Sequence, residues 1–172
     1  MEGGGGVDRA RPVRGAADRA GRAAGAVGPA GISGDAEVTR PRVIRLAGYA
    51  ALFDVTDKAR DTIRPGAFAR TLAGRTSPLP LYWEHRVAAR IGTVERIAED
   101  ARGLRVIARI ERAASRAAAA LRARTVSGLS FGYRVREGRR TETGRVLNEI
   151  DLFEISLVTH PMQWGARVHF VC

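Results

Sequence analysis

The sequence predicts a mainly β domain in which an antiparallel sheet or barrel carries its helices on the outside. Three observations lead there. About six or seven short apolar or alternating segments read as strands after residue 42. Only two stretches suit a helix. Most links between strands are shorter than the dozen or so residues that a βαβ crossover takes.

The elements follow in order. Residues 1–40 are rich in Gly, Ala and Arg and hold almost no large apolar side chain. They cannot bury enough surface to offset ordering entropy, so a disordered arm is expected. From Val43, "VIRLAGYAALF" is a strand-like run, and Pro65-Gly66 marks a turn. "AFARTLAG" suits a short helix ended by Gly74, and "PLPLYWEH" is extended and apolar. "RIGTVERIAED" and "GLRVIARI" alternate and read as a hairpin. "RAASRAAAALRARTVSG" is the clearest helix, with Gly128 beyond its end. "LSFGYRVRE" alternates, "EGRRTETGR" reads as a polar turn region, and "VLNEIDLFEISLVTH" as one long strand or two with a bend before Pro161. The whole is read as an arm, 1–40, and one folded domain, 41–172.

Composition narrows the function. The formal charge is +11, and Lys58 is the only lysine. Such a field favours an acidic partner. The arginines are dispersed, however, without an aromatic-rich RNA-binding strand or zinc-finger spacing, which argues against a sequence-reading nucleic-acid module. Cys172 is the only cysteine, so no disulfide within the chain is possible. No apolar run approaches the ~20 residues that span a bilayer, and the N-terminus lacks the apolar core of a secretory signal. A soluble intracellular protein is expected.

Residues 128–132, "GLSFG", match the G-x-S-x-G of an α/β-hydrolase elbow. An elbow needs a strand before its serine and a helix after it. Here the order is reversed, so that reading fails. A serine nucleophile still needs only a hydroxyl, an imidazole within reach and a group that orients the imidazole. Ser130 lies between two glycines. His85 ends an apolar strand in "LYWEHR", and Glu154 is a carboxylate inside the apolar strand "LFEISLV". With period two, Ser130 points with Gly132, and Glu154 with Ser156. Each also has an ordinary reading: a surface histidine, a small strand serine, a solvent-facing glutamate.

Together, "LYWEHR", "GLSFGY" and "EISLVTHP", in that order and at fitting distances, resemble the prohead maturation proteases of HK97-type tailed phages, including those of prophages and gene-transfer-agent clusters. The resemblance runs from about Val43 to Val168. It implies a fold similar to herpesvirus assemblin: β-rich α+β, a closed or nearly closed antiparallel-type barrel with flanking helices. It implies a serine endopeptidase with catalytic His85, Ser130 and Glu154, His85 and Ser130 lying on neighbouring strands and one face. His160 is the alternative third member, because the herpesvirus relatives use a second histidine. No metal or organic cofactor is implied. The implied substrates are the scaffolding segment of a major capsid protein and the protease itself, with self-association inside an assembling prohead in the host cytoplasm. No membrane or specific nucleic acid is among the implied partners. The competing readings are an inactive scaffold-binding assembly protein and a basic nucleic-acid-binding module.

Overall fold

The computed structural model describes residues 43–172, so the arm expected over 1–40 lies outside the described residues. Eight strands and two short helices follow one another: β1 (Ile44–Leu52), β2 (Asp61–Ile63), α1 (Ala69–Ala73), β3 (Pro80–Trp83), β4 (Arg86–Glu99), β5 (Gly103–Ile110), α2 (Arg116–Arg122), β6 (Gly128–Thr141), β7 (Gly144–Val158) and β8 (Val168–Val171). They form one sheet in the order β2-β7-β3-β4-β5-β1-β8, with β6 on the other edge of β7.

The alternating segments take their expected roles. β4 and β5 form the predicted hairpin, with Val94 opposite Ala108 and Glu99 opposite Leu104. On β5 the alternate residues Leu104, Val106, Ala108 and Ile110 are fully buried. β1 packs Leu46 against the same interior, and Phe68, Leu81, Leu129, Ile150, Ile155 and Leu157 complete it. The predicted long helix is shorter. Ser115 caps α2 by accepting the Ala118 N–H, and Ala123 and left-handed Arg124 end it before Gly128. Gly74 closes α1 as expected, although with φ −80 rather than a left-handed cap.

The closed or nearly closed barrel is not formed. The sheet curls into a half-barrel, and its outer strands β6 and β8 share no ladder. A single bridge, Gly128 with Arg167, touches across the gap. Four residues in β8 are too few to zip along the fourteen of β6. The sheet is also mixed. β6 occupies one edge of β7 for its whole length, antiparallel, while β2 and β3 lie parallel along the other edge at its two ends. Between them that edge is satisfied by other groups. The Ile150 N–H donates to Ala67 O (3.0 Å), the Leu152 N–H to Thr71 Oγ1 (3.1 Å), and Arg75 donates to Leu152 O (2.7 Å). β7 is therefore anchored along both edges, as suits a strand that carries a site.

Candidate active site

The β6–β7 register builds the site. Ser130 stands opposite Ser156, and Gly132 opposite Glu154. Directly paired residues of antiparallel strands share a face. Since Ile155 and Leu157 fill the core, Ser130, Glu154 and Ser156 point to the other face, yet all three are buried. On the far edge of β7, β3 pairs Tyr82 with Ser156 and Trp83 with Leu157. It then enters a two-residue turn, Glu84-His85, which brings Arg86 opposite Trp83. His85 thus stands one strand further from Ser130 than expected: β7 lies between them.

Both turn residues are left-handed, with φ 50 at Glu84 and 58 at His85. A tight hairpin of this hand normally takes Asn-Gly. For residues with a side chain such backbone costs about 1–3 kcal/mol each, and it persists only where the surroundings over-determine it. They do so here. The Glu84 N–H donates to Leu157 O at 3.1 Å. Glu84 Oε1 accepts from the Thr159 N–H at 2.8 Å and from its hydroxyl at 2.6 Å. The His85 N–H donates to Ser156 Oγ at 3.2 Å.

The turn delivers the imidazole to the carboxylate. His85 Nδ1 lies 2.7 Å from Glu154 Oε1, and the Ser156 hydroxyl donates to Glu154 Oε2 at 2.6 Å. The His85 side chain is 46% exposed and that of Glu154 11%. The hydrogen bond to Glu154 raises the His85 pKa above 6.5. Partial burial opposes the shift, while the charges of Glu154 and Glu84 reinforce it. With Nδ1–H given to a carboxylate, Nε2 carries the lone pair and is the nitrogen left to take a proton. Among the described residues Nε2 has no hydrogen-bond partner, and Ser130 makes no hydrogen bond to His85.

The glycines of GLSFG have separate tasks. A Cβ on Gly132 would lie 2.7 Å from Glu154 Oε1 and 2.9 Å from its Cγ, so the carboxylate occupies the space that this glycine leaves. A Cβ on Gly128 would lie 2.5 Å from Val158 O. His160, the alternative third member, is exposed beyond the end of β7, and among the described residues it makes no hydrogen bond with His85. Ser127 holds Arg167, accepting from its guanidinium at 3.1 Å. Two contributors escaped the sequence reading. Ser156 was legible only as a small residue two positions beyond Glu154, and Glu84 gave no sign that it would hold its own strained turn in place.

A family model described as caudovirus prohead serine protease matches residues 35–172. This chain belongs to that family. The prohead protease of Enterobacteria phage HK97 is 37% identical over 128 residues, covering 70% of this chain and 57% of that protein. The chain thus spans just over half the length of that prohead protease. Among solved structures, the bacteriophage T4 capsid assembly protease superposes with a TM-score of 0.54 at 15% identity, covering 68% of this chain and 82% of that one. That likeness concerns the fold alone. The varicella-zoster virus protease matches with a TM-score of 0.49 at 20% identity, over 74% of this chain and 63% of that one. The resemblance read from the three motifs is therefore a family relation. Within the family's matched span lie the strained turn, the buried carboxylate and the serine across β7.

Proposed function

We propose that this chain is a serine endopeptidase that trims the scaffolding segment of a major capsid protein, and itself, inside the assembling prohead in the host cytoplasm. Ser130 Oγ attacks the scissile carbonyl carbon while His85 Nε2 takes its proton. The tetrahedral intermediate collapses as that proton passes to the leaving amine. Water, deprotonated by the same imidazole, then hydrolyses the acyl-enzyme. Glu154 holds the Nδ1–H tautomer and stabilises the imidazolium by its charge.

The observation that carries this reading is the 2.7 Å hydrogen bond from His85 to a buried carboxylate on the face that also bears Ser130, in a chain of the prohead serine protease family. Among the described residues Ser130 and His85 share no hydrogen bond, and catalytic contacts of this kind commonly tighten only in the complex with substrate. An inactive assembly protein would have no need of a strained turn that presents a base. Co-expression with the neighbouring capsid gene product tests the proposal. The parent should shorten the capsid protein and Ser130→Ala should leave it whole. Equal trimming by both would refute Ser130 as nucleophile.

A further inference from the structure

Ser156 is fully buried, and both of its hydrogen-bond partners belong to the site just described. Their direction is fixed. The His85 N–H can only donate, so Ser156 Oγ accepts there, and its one proton goes to Glu154 Oε2. Glu154 Oε1 meanwhile faces the His85 ring. The histidine is thus tethered twice, by its backbone through Ser156 and by its ring through Glu154.

We propose that Ser156 is a positioning residue of this centre: it locks the left-handed Glu84-His85 turn to β7 and aims the Glu154 carboxylate at His85 Nδ1. The inference rests on the proposed triad. A buried strand serine ordinarily satisfies itself on nearby backbone of its own segment. This one joins the turn that carries the base to the carboxylate that orients it. Without the hydroxyl, the His85 N–H loses its acceptor, and the only backbone tether of the turn to β7 is the Glu84 N–H to Leu157 O, one residue short of a conformation that is unfavourable for histidine. Glu154 Oε2 loses its donor as well. Ser156 cannot replace Ser130 as nucleophile, because it is fully buried and its proton points at the carboxylate rather than at the imidazole.

The positioning role has a pH signature. The charged groups acting on the His85 ring are Glu154 from β7 and Glu84 from its own turn, and β6, across β7, brings Ser130 and Gly132 to the same face. The hydrogen bond to Glu154 is the main cause that raises the His85 pKa. Removing the Ser156 hydroxyl frees the carboxylate to turn away from Nδ1 and weakens that bond, so the acid limb of kcat/KM moves to lower pH. Removing Glu154 itself moves the limb further in the same direction.

The test is the pH profile of peptide-bond cleavage by purified full-length Ser156→Ala and Ser156→Cys, with Ser130→Ala as control and circular dichroism to verify folding. Ser156→Ala should lower kcat by about 10- to 100-fold, the range that a misplaced reacting group costs. KM should stay within about 3-fold, and the acid limb should fall. Ser156→Cys, near-isosteric with a weaker donor, should fall between Ser156→Ala and the parent, and it carries the same reading if the alanine variant does not fold. Parental kcat with an unmoved limb overturns the proposal, and so does a loss of activity with no movement of the limb, which would mark a purely structural serine. If Ser130→Ala also cleaves, the triad itself fails. If only Ser130→Ala is inactive, the triad stands and the positioning role alone falls.

Discussion

At the scale of single residues, the charge of Glu154 is the feature on which the chemistry turns. The His85 pKa is raised above 6.5, chiefly by the hydrogen bond that its ring donates to that carboxylate. A general base works only when unprotonated, so the acid limb of kcat/KM should lie above pH 6.5. Replacing Glu154 by Gln keeps an acceptor and removes the charge. The limb should then fall toward that of an ordinary histidine, and turnover should drop by at least about 10²-fold, since loss of the orienting carboxylate in a known triad costs about 10⁴. His160→Phe should stay within about 10-fold of the parent on the same scale. The reverse order of effects, in a pH series of cleavage rates, would assign the third role to His160. His85, Ser130 and Glu154 were legible as candidates because each sits in a short motif with an unusual neighbour: a strand end, a pair of glycines, an apolar strand. Ser156 was not, because a serine in an alternating strand has no signature until its partners are known. Gly132 stands in the sequence only as one of the two glycines that flank Ser130, and the packed carboxylate gives it a reason.

At the scale of elements, the β3–β4 turn joins backbone strain to the placement of the base. Position 84 requires φ 50, which glycine adopts freely and alanine does not. Both Glu84→Gly and Glu84→Ala lose the two bonds to Thr159, but only the alanine keeps the strain. Urea unfolding should therefore give Glu84→Ala the lower midpoint of the two, with a difference of about 1 kcal/mol. Equal midpoints would mean that the turn stores no strain. Such a turn could not be read from "WEHR", because left-handed conformations are expected at Asn and Gly rather than at Glu and His. The β4–β5 hairpin was legible because one face of each strand is buried and the other wet. The ends of β6 and β7 were not: residues 136–141 of β6 and Gly144–Val146 lie beyond the core, are mostly exposed, and lose the alternation that marks a strand. They pair all the same, around Glu142-Thr143, where the sequence suggested a longer turn region. β8 was missed for a related reason, since only Val168 of its four residues is buried.

At the scale of the described domain, buried aspartates tie the strands that flank the site into one unit. Asp61, fully buried on β2, accepts from Arg145 of β7 (2.7 Å) and from the Tyr133 hydroxyl of β6 (2.9 Å). Burial, reinforced by that bond, pushes the Tyr133 phenol up to about 12. Asp151 of β7 accepts from Arg134 (2.8 Å) and Arg70 (2.6 Å), and also pairs with Arg136. The Arg134 hydrogen bond leads in holding its carboxyl down at about 2, against 3.8 for a free aspartate. A carboxyl that binds its proton less readily when folded adds stability that is complete above about pH 4. For Asp151 that stability is lost as pH falls through about 2. Urea midpoints should therefore drop between pH 5 and pH 2, and Asp151→Asn should flatten the drop; a variant with the parental slope would contradict this account. The half-barrel, as against the closed barrel that strand counting suggested, follows from the shortness of β8 and from the two parallel partners along one edge of β7. Neither is visible in a list of strands. The central claim is that Ser130 is a nucleophile served by His85 and Glu154, and a serine-directed phosphonate applied to the full chain tests it most directly. Peptide mass mapping should place a single adduct on Ser130, with labelling slowed strongly in Glu154→Gln. An adduct on Ser127 or Ser156, or labelling that ignores Glu154, would contradict it.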